Sequence, residues 1–101
     1  MNKESFSSSG KLLESFRKLD YKQQYMVCYN FYDEIIKYPQ YDENKNCLKF
    51  DEIYESINPD WLEEEKVKIQ QCIEVMGNAL RDIEQYEPAV FQKIVAKIIM
   101  M

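Results

Sequence analysis

Three oxygen-bearing side chains near the middle of the sequence have the spacing of calcium ligands. Asp42, Asn44 and Asn46 stand at alternate positions, as the first three ligands of a calcium-binding loop do. Such a loop also needs Gly at its sixth position for a sharp turn and a bidentate Glu at its twelfth, where this chain has Cys47 and Ile53. The pattern therefore favours a solvated loop that caps the next helix, and we expect no bound metal.

The nucleophilic and acidic side chains form no catalytic pattern. The chain has no His, whereas a Ser or Cys nucleophile needs an imidazole or an equivalent base. Cys28 and Cys72 lie on apolar helical stripes, which predicts buried thiols, and Cys47 falls in the loop, which predicts a more exposed one. The acidic run 63–65 is typical of a helix start. We therefore expect no catalytic residue, no cofactor and no enzymatic activity.

Composition limits the class of protein. The 101 residues suffice for one domain with a single core. The 13 Lys and Arg against 18 Asp and Glu give a net charge of −5, which disfavours direct binding to nucleic acid. The three Cys have no paired spacing and no apolar stretch begins the sequence, so we expect a reduced, cytoplasmic protein. Apolar runs are only a few residues long, which predicts no membrane-spanning segment.

The elements that must position these residues are helical throughout. Residues 1–9 are polar and Ser-rich and are predicted to be a flexible leader. A first helix is predicted over 10–19, followed by a capping box in which Asp20 and Gln23 open a second helix that Pro39 ends.

A helical wheel of the second helix predicts a core-facing stripe that contains most of its tyrosines. Val27, Phe31 and Tyr38 fall outside that arc, on a flank that we expect to be partly exposed. The members of the stripe are Tyr21, Tyr25, Cys28, Tyr29, Tyr32, Ile35 and Ile36.

The second half of the sequence predicts a short helix, a long one and a final one. Apolar spacing indicates a third helix over 50–57. Asn58 as N-cap and Pro59 as the first helical residue predict a long helix over about 59–86. Apolar residues repeat along it every seven positions, and Gly77 is predicted to bend or break it. Pro88 begins the last helix. The expected fold is all-α: residues 10–101 form a compact bundle of four to five helices around the long central one.

The stretch from residue 42 to residue 65 is strongly acidic. It contains nine acidic residues against two Lys, which would favour a basic partner surface, although a solvated loop and helix start explain the same pattern. Tyr38 and Tyr41 flank Pro39 at a helix end and are predicted to face a partner. The acidic candidates for partner binding are Asp42, Glu43, Asp51, Glu52, Glu55, Glu63 and Glu64.

The C-terminal helix carries more apolar surface than one neighbour covers. Its apolar residues fill an arc of about 180°, wider than the stripe of a surface helix. We therefore predict that Phe91, Val95, Ile98 and Ile99 contact a partner or a second copy of the chain, as in a homodimer. The alternative is that the bundle closes over its own C-terminus.

Together these features predict a non-enzymatic protein that binds another protein through its surface, as an inhibitor, an adaptor or an immunity-type protein. One alternative is an acidic mimic of nucleic acid whose carboxylates occupy a DNA- or RNA-binding groove. A further alternative is a helical nucleic-acid-binding regulator that uses Lys11, Arg17, Lys18 and Lys22.

Overall fold

The computed structural model describes residues 8–41 and 45–99. Within these ranges the chain forms five α-helices and no strand, so the predicted all-α bundle is confirmed. No helix in the described ranges has the length and apolar character that crossing a membrane requires. The five helices are α1 (Ser8–Arg17), α2 (Tyr21–Ile35), α3 (Lys45–Glu55), α4 (Lys66–Tyr86) and α5 (Pro88–Ile98).

The longest helix, α4, is the centre of the bundle. It has 21 residues, and α1, α2, α3 and α5 all pack against it. The predicted seam faces this core: Ile69, Met76 and Ile83 are fully buried or nearly so. A helix that contacts four neighbours needs apolar residues around much of its circumference, which explains why its buried residues exceed a simple heptad stripe.

The start of α4 differs from the prediction. The Asn58 side chain caps the chain by accepting the Asp60 N–H at 2.9 Å, as expected, but residues Pro59–Trp61 form a 3-10 turn, and the α-helix begins only at Lys66. The Asn58 N–H donates to Glu65 Oε2 at 2.9 Å. This hydrogen bond joins the two ends of the segment that precedes α4.

The predicted bend at Gly77 does not occur, because α4 is continuous through this residue. Gly77 is buried at the place where α1 crosses, and a Cβ atom there would lie 2.8 Å and 2.9 Å from the two Cδ methyl groups of Leu13. The missing side chain therefore allows α1 to approach α4 closely.

The other helix boundaries also shift. α1 begins at Ser8, so the predicted leader overlaps it by two residues; residues 1–7 lie outside the described ranges. The capping box at Asp20 and Gln23 is confirmed. α3 begins five residues before the predicted start, which buries Cys47 inside the bundle. The expectation of an exposed Cys47 thiol was therefore wrong.

The core face of α2 is rotated from its predicted position. Val27 and Phe31 are fully buried, whereas Tyr29 and Ile36, which the wheel assigned to the core, are 48% and 55% exposed. α4 and α5 cover α2 from one side, and the Phe31 ring meets the edge of Phe50 with centroids 4.8 Å apart. The wheel failed because it weighted Tyr like an aliphatic residue, although a Tyr ring often lies at a core edge with its hydroxyl in water.

Candidate partner-binding surface

Stacked tyrosines join α2 to α3 at the edge of the core. The Tyr54 ring of α3 lies between two rings of α2, with centroids 5.8 Å from Tyr25 and 4.8 Å from Tyr32, and is close to parallel with both. Beneath it, the fully buried Phe50 ring stacks on Tyr54 at 5.7 Å. All three tyrosines are half-buried, so they form a firmly held but accessible aromatic layer.

An exposed apolar stripe continues this layer along α2. Met26, Tyr29 and Ile36 are 47%, 48% and 55% exposed. With Lys22 and Asp33 they fall within an arc of about 80° on a helical wheel, beside the arc that holds Tyr25 and Tyr32. We call the combined patch the tyrosine surface; it consists of Tyr25, Met26, Tyr29, Tyr32, Ile36 and Tyr54.

Hydrogen bonds fix two of the hydroxyl groups in the tyrosine surface. The Tyr32 hydroxyl donates to Glu55 Oε2 at 2.9 Å, and this bond to a carboxylate, followed by burial, raises the pKa of Tyr32. Burial, followed by a hydrogen bond with Tyr25, raises the pKa of Tyr54. Both phenols therefore stay neutral across the physiological range.

The predicted acidic residues divide among different places. Glu55 borders the tyrosine surface through its bond with Tyr32, and Asp51 lies near enough to contribute to the raised Tyr32 pKa. Glu52 is exposed on α3, and Glu63 and Glu64 are exposed in the turn before α4. Asp42 and Glu43 lie outside the described ranges.

A groove lies between the start of α2 and the turn before α4. It has a volume of about 650 Å³, and Trp61, which is 62% exposed, lies along it. We call it the Trp61 groove. It adjoins the tyrosine surface, because Tyr21 and Lys22 lie one helical turn before Tyr25 and Met26. Its lining residues are Tyr21, Lys22, Pro59, Asp60, Trp61, Leu62, Glu63 and Glu64.

Tyr38 and Tyr41 form a second aromatic pair that does not belong to the tyrosine surface. Both are half-buried and pack against the core, with ring centroids 6.4 Å apart. The Tyr41 hydroxyl donates to Glu87 Oε1, which ties the 3-10 turn Pro39–Tyr41 to the start of α5. Burial is the largest cause of the raised Tyr41 pKa. Their role at a partner interface stays a prediction.

The C-terminal helix corrects part of the predicted interface. Phe91 and Ile98 are buried in the chain's own core beside Ile94, so the prediction that they face a partner was wrong. α5 packs against both α2 and α4, and two neighbours cover a wider arc than one. Val95 is half-buried and Ile99 is 57% exposed, which leaves these two at the surface.

The four bases named for a nucleic-acid-binding regulator have different surroundings. Arg17 forms a bidentate pair with Glu74, at 2.7 Å from Nε and 2.9 Å from Nη2, and Glu74 raises the pKa of Arg17. Lys11, Lys18 and Lys22 are exposed, and Lys22 belongs to the Trp61 groove. The strongest of the four phosphate ligands is therefore already paired with a carboxylate.

The thiols of Cys28 and Cys72 meet inside the core between α2 and α4. Both side chains are fully buried, as the sequence predicts. A hydrogen bond with Cys72, followed by burial, raises the pKa of Cys28 well above its ordinary value. A thiol in that state is a poor nucleophile. In the described ranges, no group of three or more Cys, Asp or Glu side chains could hold a metal ion.

Sequence reasoning missed Met26, Tyr29 and Trp61 as members of a candidate site. The available signal was the number of apolar residues on α2, which exceeds what one buried stripe can use. Comparison with protein-family models, with curated proteins and with solved structures gives no match. The geometry of the chain itself therefore carries the functional proposal.

Proposed function

We propose that the chain is a non-enzymatic binding protein, acting as an inhibitor, an adaptor or an immunity-type protein, whose tyrosine surface attaches to a protein with a basic surface. One observation supports this most directly. Met26, Tyr29 and Ile36 are half-exposed on one stripe of α2, next to the stacked tyrosines of α2 and α3. Contiguous apolar patches of this kind mark interaction sites.

The residue types suit an interface core. Tyr and Met are enriched at such cores, and Tyr is frequent among the residues that contribute most binding energy. Stacking already holds Tyr25 and Tyr32 against Tyr54, so these rings lose little conformational freedom when a partner covers them. Binding to these preorganised rings therefore costs little conformational entropy.

Charge supports the basic character of the partner. The chain has a net charge of −5, and the exposed Glu55 of α3 accepts a hydrogen bond from Tyr32 at the edge of the tyrosine surface. Acidic groups around an apolar centre accelerate encounter with a basic surface and contribute less to the final affinity. We also propose a cytoplasmic location, where the three buried thiols would stay reduced.

The test compares two identical substitutions at different places. Tyr29→Ser removes a ring from the tyrosine surface, and Tyr86→Ser removes an equally large ring, 75% exposed, near the end of α4. Proteins captured from a lysate of the source organism by immobilised wild type are purified and titrated against all three forms by calorimetry. We expect Tyr29→Ser to weaken binding by about 30-fold and Tyr86→Ser to leave it unchanged.

Equal affinities for all three forms would contradict the proposal, provided that circular dichroism shows both variants folded. A salt titration separates the alternatives. An apolar interface responds little to ionic strength, whereas a complex driven by carboxylates, as expected of a nucleic-acid mimic, weakens steeply. Binding of labelled DNA that requires Lys18 would instead favour the nucleic-acid-binding regulator.

A further inference from the structure

Trp61 is the only Trp of the chain, and it is held at the surface by its own backbone. The Trp61 backbone N–H donates to the Asn58 carbonyl at 3.0 Å, and the Trp61 carbonyl accepts from the backbone N–H groups of Glu64 and Glu65. The hydrogen bond from the Asn58 N–H to Glu65 closes this turn at its base. The ring is therefore displayed from a well-braced turn while most of its area faces solvent.

The Trp61 groove combines apolar walls with an excess of negative charge. Tyr21, Pro59, Trp61 and Leu62 supply apolar surface, and the Trp61 side chain is 62% exposed. The groove also contains three exposed carboxylates against the single ammonium group of Lys22. The carboxylates belong to Asp60, Glu63 and Glu64.

We propose that the Trp61 groove binds a partner segment that carries Lys or Arg side chains. The aliphatic stem of such a side chain packs on the Trp61 ring, whose face attracts the cationic group, and the Glu63 and Glu64 carboxylates complete the contact. Arg fits best, because its planar guanidinium both stacks on an aromatic ring and pairs with a carboxylate. This inference rests on the proposed function, since it names the chemistry of the partner beside the tyrosine surface.

The position of the groove suits that role. It adjoins the first turn of α2, so a partner seated on the tyrosine surface would bring a neighbouring segment over Trp61. An anionic segment would meet the three carboxylates, and an apolar one would bury them without a partner. Charge complementarity therefore selects a cationic segment.

The fluorescence of Trp61 provides a direct test because no second Trp contributes. The probe is a blocked pentapeptide with three consecutive arginines between two glycines, and the control peptide has glutamines in place of the arginines. We expect a saturable change in Trp61 emission with the arginine peptide and none with the glutamine peptide. Glu63→Gln with Glu64→Gln should weaken this binding by about fivefold. Glu52→Gln, which removes one exposed charge outside the groove, should leave it unchanged.

Absence of a saturable signal with the arginine peptide, or equal weakening by Glu52→Gln, would overturn the inference. The result is independent of the proposed function, because Tyr29→Ser should not alter the peptide titration. If the partner requires Tyr29 but is indifferent to Glu63 and Glu64, the groove inference is wrong and the proposed function stands. If the peptide binds as expected but Tyr29→Ser leaves partner affinity intact, the proposed function fails instead.

Discussion

The crossing of α1 over α4 leads to a quantitative prediction for Gly77→Ala. A Cβ atom at this position would lie 2.8 Å and 2.9 Å from the two Cδ atoms of Leu13 and 3.2 Å from its Cγ. Turning Leu13 about χ2 moves the methyl groups but leaves Cγ too close. The methyl groups of Leu13 must therefore turn away and its Cγ must shift by a few tenths of an ångström, or α1 must move away from α4.

Two opposing terms set the expected size of the effect. Replacing Gly by Ala within a helix favours folding by about 1 kcal/mol. Overpacking a close helix crossing costs about 1 to 3 kcal/mol. We therefore expect Gly77→Ala to lower the free energy of unfolding by about 1 kcal/mol, which corresponds to a melting temperature lower by about 4 °C or more for a domain of this size.

The assay is urea denaturation followed by circular dichroism, applied to a double-mutant cycle with Leu13→Ala. Removing the Leu13 side chain relieves the contact, so in that background Gly77→Ala should raise the free energy of unfolding by about 1 kcal/mol. The expected coupling between the two positions is thus about 2 kcal/mol. If Gly77→Ala stabilises the wild-type chain by about 1 kcal/mol and shows no coupling to Leu13, the close approach is not what requires Gly.

Two further expectations follow from burial and from pKa. Ile98→Ala should lower the free energy of unfolding, measured in urea, by about 2 to 5 kcal/mol, because Ile98 is fully buried. Ile99→Ala should change it by less than about 0.5 kcal/mol, because Ile99 is exposed. Similar losses at both positions would contradict the placement of Ile98 in the core. Light scattering of the Ile99→Ala variant tests the homodimer, which should dissociate if Ile99 contacts a second copy. Because the pKa of Tyr54 is raised in the folded state, the free energy of unfolding should be constant below the ordinary Tyr pKa of about 10 and should fall as the pH rises above it. The fall should be smaller in Tyr54→Phe. A pH dependence that Tyr54→Phe leaves unchanged would contradict this.

The sequence predicts the parts of this fold that depend on neighbouring residues. The capping box of Asp20 and Gln23 and the side-chain cap of Asn58 both form as expected, because each joins groups only two or three positions apart. The α4 seam is equally predictable, since a heptad pattern repeats along it. The late start of α4 was not predictable: the turn before it is closed by a hydrogen bond between Asn58 and Glu65, which lie seven positions apart.

The candidate site was harder to predict because it depends on which helices meet. Hydropathy does not separate Tyr29, which is half-exposed, from Tyr54, which is clamped between two rings. Likewise, Ile98 is apolar whether a partner or the chain itself covers it, and only the packing of α5 on both α2 and α4 decides. The sequence indicated the acidic residues near position 63 as candidates for partner binding. It did not indicate the Trp61 ring beside them, because the groove forms only where the start of α2 lies next to this turn.

The antiparallel path of α1 along α4 implies that α1 and the rest of the bundle differ in local stability. Its contacts follow one edge of α4: the Ser9 N–H donates to Glu84, Leu13 crosses Gly77, and Arg17 pairs with Glu74. Only a few contacts reach α2, one of them the hydrogen bond from Gln24 Nε2 to the Phe16 carbonyl at 2.9 Å. Because α4 holds most of these contacts, we expect α1 to open as a cooperative unit at a lower free energy than global unfolding requires. Neither the tyrosine surface nor the Trp61 groove contains a residue of α1, so both would persist in that partly opened form.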